Sequence, residues 1–321
     1  MTTGTSVRRD RRRRLLVLAV VLLALGACRS DPSTVEAGDV STTTTTSAPP
    51  ETASTTAAPP VSTTTVPKKA TPMTTTAPPA TAGSLVLQVH TGGGFVPPGY
   101  LFAEQPSFSL YAGGEVVVPG PTTMEYPGRA LPNLLTGDLG TAGVRDAVAA
   151  ARAAGVQQAT GVDLGQPHVA DFPTTSVVLV DEGRTYRVEA YALGFDASTL
   201  TAAQQDYRRR LSDLVAHLEK LGAGAGRPYR AEAVSVLVQP YENPGSPQDP
   251  APGEAHWPLG NLATGGVDQF GGRCLGFTGA DAQRVLAAAG DARSNTRWLS
   301  GGSAWSLMFR PELPGATTCH T

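Results

Sequence analysis

The chain predicts an α+β domain, a mainly antiparallel sheet with three helices, placed after a long region of quite different composition. Three observations point there. Short β-branched or alternating runs come in pairs around glycine-bearing turns, which is the pattern of hairpins. Three other stretches carry apolar residues at helical spacing and end at glycine. Hairpins and helices also fall in separate runs, whereas a parallel sheet would need strict strand–helix alternation.

The domain starts near Gly83. Ser84 to His90 (SLVLQVH) is apolar on alternating positions and predicts a strand. It runs into GGGFVPPGY, where three glycines and two prolines predict a loop and exclude a helix. Phe108 to Tyr111 and Glu115 to Val118 flank Ala112-Gly113-Gly114 as a first hairpin. PGPTTMEYPGRALPN then reads as a proline-rich loop. Thr141 is placed to cap a helix through Arg152, with Val144, Ala147, Val148 and Ala151 on one face and Gly155 ending it.

Val177 to Val180 and Arg184 to Ala192 predict a second hairpin about Asp181-Glu182-Gly183. Thr201 and Gln204 have capping-box spacing, and Tyr207, Leu211, Leu214, Val215, Leu218 and Leu221 line one face of the helix that follows. Gly222 is its predicted stop. Ala233 to Gln239 predicts a strand. The next stretch, YENPGSPQDPAPGEAHWPLG, is too polar and proline-rich to be expected inside. Thr278 is the expected cap of a third helix to Ala289, and Ser303 to Phe309 the last strand. LTGDLGTAGVRDAVAAARAAG and FTGADAQRVLAAAG echo each other, since each sets Thr-Gly before an alanine-rich helix ended by glycine. That echo raises an origin as two related halves, although alanine-rich helices with glycine stops are common.

Residues 1–82 carry a different message. Arg8, Arg9 and Arg11 to Arg14 precede an unbroken apolar run, Leu15 to Leu25. The run is shorter than the roughly 20 residues a membrane span needs, and it has the layout of an export signal. Leu25-Gly26-Ala27-Cys28 resembles the lipobox of bacterial lipoproteins. That resemblance implies a signal peptide over residues 1–27, acylation of Cys28 and anchoring at the outer face of the cell membrane. Residues 28–82 are mostly Thr, Ser, Pro and Ala, with too little apolar surface to offset the entropy of ordering. They are expected to form a disordered tether, and Thr/Ser with Pro is also the composition of glycosylated stalks. Residues 83–321 then form the exported domain. Its stretches PSFSLYAGGEVVVPG and WPLGNL resemble uncharacterised secreted proteins of high-GC Gram-positive bacteria, a resemblance that brings no active site with it.

Loss of residues 1–27 removes six arginines and one aspartate, which takes the formal charge from −2 to −7. Lys220 is the only lysine after the tether. Nucleic acid and anionic lipid are poor partners for such a surface. Beyond Cys28 only Cys274 and Cys319 remain, and in an exported chain two cysteines are expected to pair. A metal site is disfavoured, because there is no CxxC and only His320 lies near.

Enzyme signatures fail on context. Gly301-Gly302-Ser303-Ala304-Trp305 lacks the last glycine of a nucleophile elbow and precedes a strand. Gly222 to Gly226 follows a helix, and Gly92-Gly93-Gly94 runs into prolines, so neither cradles a phosphate. His90, His168, His217, His256 and His320 are scattered without metal-ligand spacing, and His217 falls on the solvent side of its helix. Asp163, Asp171, Glu182, Glu189, Asp196 and Glu232 are the carboxylates from which a glycosidase pair would have to come, though no spacing brings two of them together. Trp298 and Trp305 read as core residues of the last strands. Trp257, between His256 and Pro258 in a polar loop, is the candidate ligand-binding residue, because sugars stack on exposed indole rings. No cofactor motif is present.

These readings favour a non-enzymatic binding or scaffold domain that contacts wall polymer or another envelope protein. The alternative is a cell-wall or peptide hydrolase whose carboxylate pair the sequence does not identify. A solute-capturing lipoprotein fits less well, because it calls for a larger two-lobed α/β chain.

Overall fold

A computed structural model describes residues 83–158, 162–242 and 249–319. These residues form an α+β fold of two mainly antiparallel sheets with four helices. No helix among them is long and apolar enough to cross a membrane. The expected export signal, Cys28, the expected tether and His320 lie outside the described residues.

The first sheet has seven strands. Its centre is β1 (Leu85–Gly92), flanked by β2 (Phe108–Tyr111) on one side and β5 (Thr174–Asp181) on the other. Beyond β2 lie β3 (Glu115–Pro119), β4 (Leu134–Asp138) and the two-residue β7 (Arg227–Pro228); beyond β5 lies β6 (Arg184–Tyr191). Helices α2 (Gly140–Ala154) and α3 (Ala202–Gly222) cover one face. Alternation along β1 aims Leu87 and Val89 at that face, where they meet Ala147 and Ala151 of α2 and Leu211, Leu214 and Leu218 of α3. The capping box on α3 is formed: Gln204 N donates to Thr201 Oγ1 at 3.3 Å, and Thr201 N donates to Gln204 Oε1 at 3.1 Å.

The second sheet has six strands around β8 (Ala233–Pro240), which pairs with β11 (Gly272–Thr278) and β13 (Ser303–Pro311). Outside these lie β10 (Val267–Gln269) on one edge, and β12 (Arg297–Ser300) with β9 (Glu254–His256) on the other. Helix α4 (Gly279–Gly290) buries Ala282, Val285 and Ala289 against Val234, Val236, Trp298 and Phe309. The two layers hold each other by exchanged pieces. Phe102, from the first half, is fully buried beside Leu237, Cys274 and Cys319. Leu313, just past β13, packs in return with Tyr111, Val117 and Leu134 of the first sheet.

Four expectations need correction. A fourth helix, α1 (Pro98–Ala103), occupies the stretch read as helix-excluding. Proline at the first helical position is tolerated, because its missing N–H would have no partner there anyway. Helix α2 starts before Thr141, at Gly140, whose N–H goes to Asp138 Oδ1 at 2.8 Å, and Thr141 is not its cap. The polar loop after β8 contains β9, whose parallel pairing to β12 draws the following residues inward. His217 is half-exposed but not merely solvated, because its Nε2 lies 3.0 Å from Asp146 Oδ2 and ties α3 to α2.

The internal echo has a structural counterpart at one point. Strand β4 leads directly into α2 and β11 into α4, and each helix begins on a left-handed glycine, Gly140 at φ 58° and Gly279 at φ 57°. The strand order around these junctions differs between the two sheets.

Candidate functional site

Cys274 and Cys319 form a disulfide across 45 residues of chain. It fastens the C-terminal segment to β11. A buried carboxylate works beside it: Glu312, 5 % exposed, accepts from Ser235 Oγ, from Thr318 N at 3.0 Å and from Thr318 Oγ1 at 3.1 Å. Glu312 was not among the carboxylates singled out from sequence, because nothing local marks a strand-end glutamate as enclosed. Its full set of donors gives it a structural role.

The six carboxylates that were singled out stand apart. Asp163 accepts from Gly165 N, Glu182 from Arg152, and Asp196 from Ser198. Glu189 lies 3.5 Å from Arg187, the Asp171 carbonyl lies against Gly94, and Glu232 is exposed. None of these contacts joins two of the six. Among the described residues no group of three or more His, Cys, Asp or Glu side chains is placed to hold a metal.

One histidine does meet a carboxylate. His90 Nε2 lies 3.7 Å from Glu104 Oε2 where β1 leaves the sheet, and Gly93 N donates to Glu104 Oε1 at 3.2 Å. A side chain at position 92 would collide with both groups, since its Cβ would sit 2.0 Å from Glu104 Oε2. Arg310 of β13 closes the cluster from the second sheet, donating to the carbonyl oxygens of Phe102, at 2.9 Å, and Glu104. Burial pushes the His90 imidazole below its ordinary value; Glu104 opposes this, and the cations Arg310 and Arg187 add to it. Fourteen residues separate His90 from Glu104, and no helical or strand spacing links them.

The cavity that stands out lies in the second layer, around the turn of the β12–β13 hairpin. Its volume is about 560 Å³ and it is open to solvent. The parallel pairing of β9 with β12 sets Leu299 opposite His256, so the next residue, Trp257, enters the floor. Trp257 is only 8 % exposed. Its ring is packed against Phe277 at 5.6 Å and Trp298 at 6.2 Å between centroids. The indole therefore supports the pocket and offers a margin to it, in place of the free stacking face that a loop tryptophan was expected to present. Trp298 is 1 % exposed, as a core residue should be, and Trp305 donates its Nε1–H to the Ser300 carbonyl at 3.1 Å.

The rim is polar. Ser300 Oγ accepts from Leu262 N at 3.1 Å, and Asn261 Oδ1 accepts from Ala263 N at 2.9 Å, which fixes the loop on one side. Gly301, at φ 60°, faces the Asn261 amide so closely that a Cβ there would lie 2.4 Å from it. The wall on that side needs glycine for both reasons. His256, Asn261 and Ser303 are exposed around the opening, with Leu259 and Leu299 between them.

Searches of known families, characterised proteins and solved structures return no match to this chain. The chemistry of the cavity therefore rests on its own residues. Hydrogen-bonding groups on the rim and an apolar floor suit a polyhydroxylated ligand of low charge. None of the lining residues is a carboxylate, so these residues do not supply the acid and base pair that glycoside hydrolysis requires.

Proposed function

We propose that this protein is a lipid-anchored envelope protein whose folded domain binds wall glycan without cleaving it, through the cavity over Trp257. The observation that carries this reading is the pairing of an apolar floor with a polar rim and no carboxylate. The anchor reading adds location. An arginine-rich signal and the lipobox-like Leu25-Gly26-Ala27-Cys28 would tether the chain at the outer face of the membrane. The Thr/Pro-rich residues between Cys28 and Gly83 would let the domain reach into the wall.

The test is a thermal-shift and calorimetric screen of the domain with soluble wall fragments. A fragment present at a hundred times its dissociation constant should stabilise the fold by about 2.7 kcal/mol. His256→Ala and Ser303→Ala alter exposed rim groups and should weaken that binding at least tenfold with the melting temperature of the free domain unchanged. Absence of any shift with wall fragments, or a shift indifferent to both substitutions, overturns the assignment to this cavity. For the anchor, Cys28→Ser should release the protein from the membrane fraction, and retention there would count against acylation.

A further inference from the structure

The edges of the two sheets are unequal. The second sheet ends on β10 and β9, each three residues long, and the first sheet ends on one side at β7, with two. Edges that short are a common way to prevent strand pairing between molecules. The fourth edge, β6, is eight residues long and among the described residues pairs only with β5. Thr185, Arg187 and Glu189 are exposed along it.

Hydrogen-bond parity says which groups are free. Strands β5 and β6 join through the two-residue turn Glu182-Gly183, with Asp181 opposite Arg184. In such a hairpin the pair flanking the turn exchanges both bonds, and every second pair does so after it. Arg184, Tyr186, Val188 and Ala190 therefore turn their backbone groups toward β5. Thr185, Arg187 and Glu189 turn theirs outward, and Tyr191, next in the series, gives its carbonyl to Arg208 at 2.7 Å.

We infer that two copies of this chain join through their β6 edges, antiparallel about Val188, to make one continuous sheet. The sequence of the edge is complementary to itself in that register. Arg187 of each copy falls opposite Glu189 of the other, at a position where both backbones have free hydrogen-bonding groups. Thr185 falls opposite Tyr191, and Tyr186 opposite Ala190. Arg187 and Glu189 project from the same face, 3.5 Å apart within one strand and 60 % and 59 % exposed, so each charge can also reach its opposite on a second copy. The neighbouring registers that keep the hydrogen-bond parity are disfavoured. A shift one way sets Arg187 against Arg187, and a shift the other way sets Glu189 against Glu189, and like charges directly opposite are destabilising. Charges are the usual protection of a long edge. Here they are arranged so that they repel in both registers adjacent to this one.

The test is sedimentation of the full-length chain in detergent over a broad concentration range, with charge-reversal variants at these exposed positions. The wild-type chain should show a monomer–dimer equilibrium. Arg187→Glu alone, or Glu189→Arg alone, sets like charges opposite each other twice per dimer and should weaken association about tenfold or more. The double exchange, Arg187→Glu with Glu189→Arg, restores the opposite pairs and should restore the dimer. A chain that stays monomeric throughout, a dimer that ignores either single reversal, or a failure of the double exchange to rescue association would each overturn the proposal.

Discussion

The two layers solve one packing problem by different means. The first sheet has two helices, 15 and 21 residues long, and its core is mostly leucine, valine and alanine with Phe108 and Tyr207. The second has the six-residue α1 beside β13 and the 12-residue α4, whose buried face is Ala282, Val285 and Ala289. Those small residues let the helix approach closely but remove little apolar surface from water. Aromatic bulk makes up the difference: Trp257, Trp298 and Phe309 form an edge-to-face chain, with Trp298 5.4 Å from Phe309 between centroids. Each such ring buries roughly 150–250 Å². A disulfide then adds a covalent constraint that the first layer lacks. Less helix cover is offset by larger side chains and a cross-link.

The sharpest way to break that comparison is Trp298→Ala. The ring is 1 % exposed between two other aromatics, so its loss should cost about 5 kcal/mol, the top of the range for such truncations. Leu211→Ala, in the core of the first layer, should cost about 3 kcal/mol. Urea unfolding of both variants gives the order directly, and a leucine loss as large as the tryptophan loss would mean the aromatic chain does not carry the second layer. Removing the cross-link comes next. Cys319→Ser reopens a loop of 45 residues, for which chain entropy gives about 4 kcal/mol, seen as a lower denaturation midpoint. Because Phe102 and Leu313 cross between the layers, both losses should appear in one cooperative transition followed by near-UV and far-UV signals together.

The smallest effect belongs to the seam. His90 is held below the ordinary imidazole value of 6.5, chiefly by burial, so the unfolded chain binds its proton more readily than the folded one. Stability therefore rises with pH in that range. The contribution is complete above about pH 6.5 and is lost as the pH falls from there through the lowered folded value. His90→Asn should flatten that part of the stability–pH curve, and an unchanged slope in the variant would place the dependence elsewhere.

Much of the fold was legible in the chain. Period-two alternation placed β1, the stretches 233–239 and 303–309 also read as strands, and the Thr201–Gln204 spacing placed the start of α3 to the residue. The β2–β3 and β5–β6 hairpins follow from glycine-bearing turns, and the Cys274–Cys319 pair from the count of cysteines together with the expectation of export. The short edge strands β7, β9 and β10 were not legible, because two or three residues are too few to show a period. Helix α1 was missed because its prolines were weighed as breakers and not as a first turn.

The residues of the proposed site divide along the same line. Trp257 could be picked from sequence as a tryptophan in a polar loop beside His256. Their partners Asn261, Leu299, Ser300 and Ser303 could not, since only the pairing of β9 with β12 closes the cavity. By itself the sequence determined what depends on near neighbours: periodicity, caps, turns and composition. Tertiary structure alone decided which distant groups meet, namely Trp257 with Trp298, Glu312 with Thr318 and Ser235, and His90 with Glu104 and Arg310. The reason is physical. Local patterns are set by the backbone's few soft torsions, whereas burial and charge pairing depend on sheet order, which no short stretch of chain encodes.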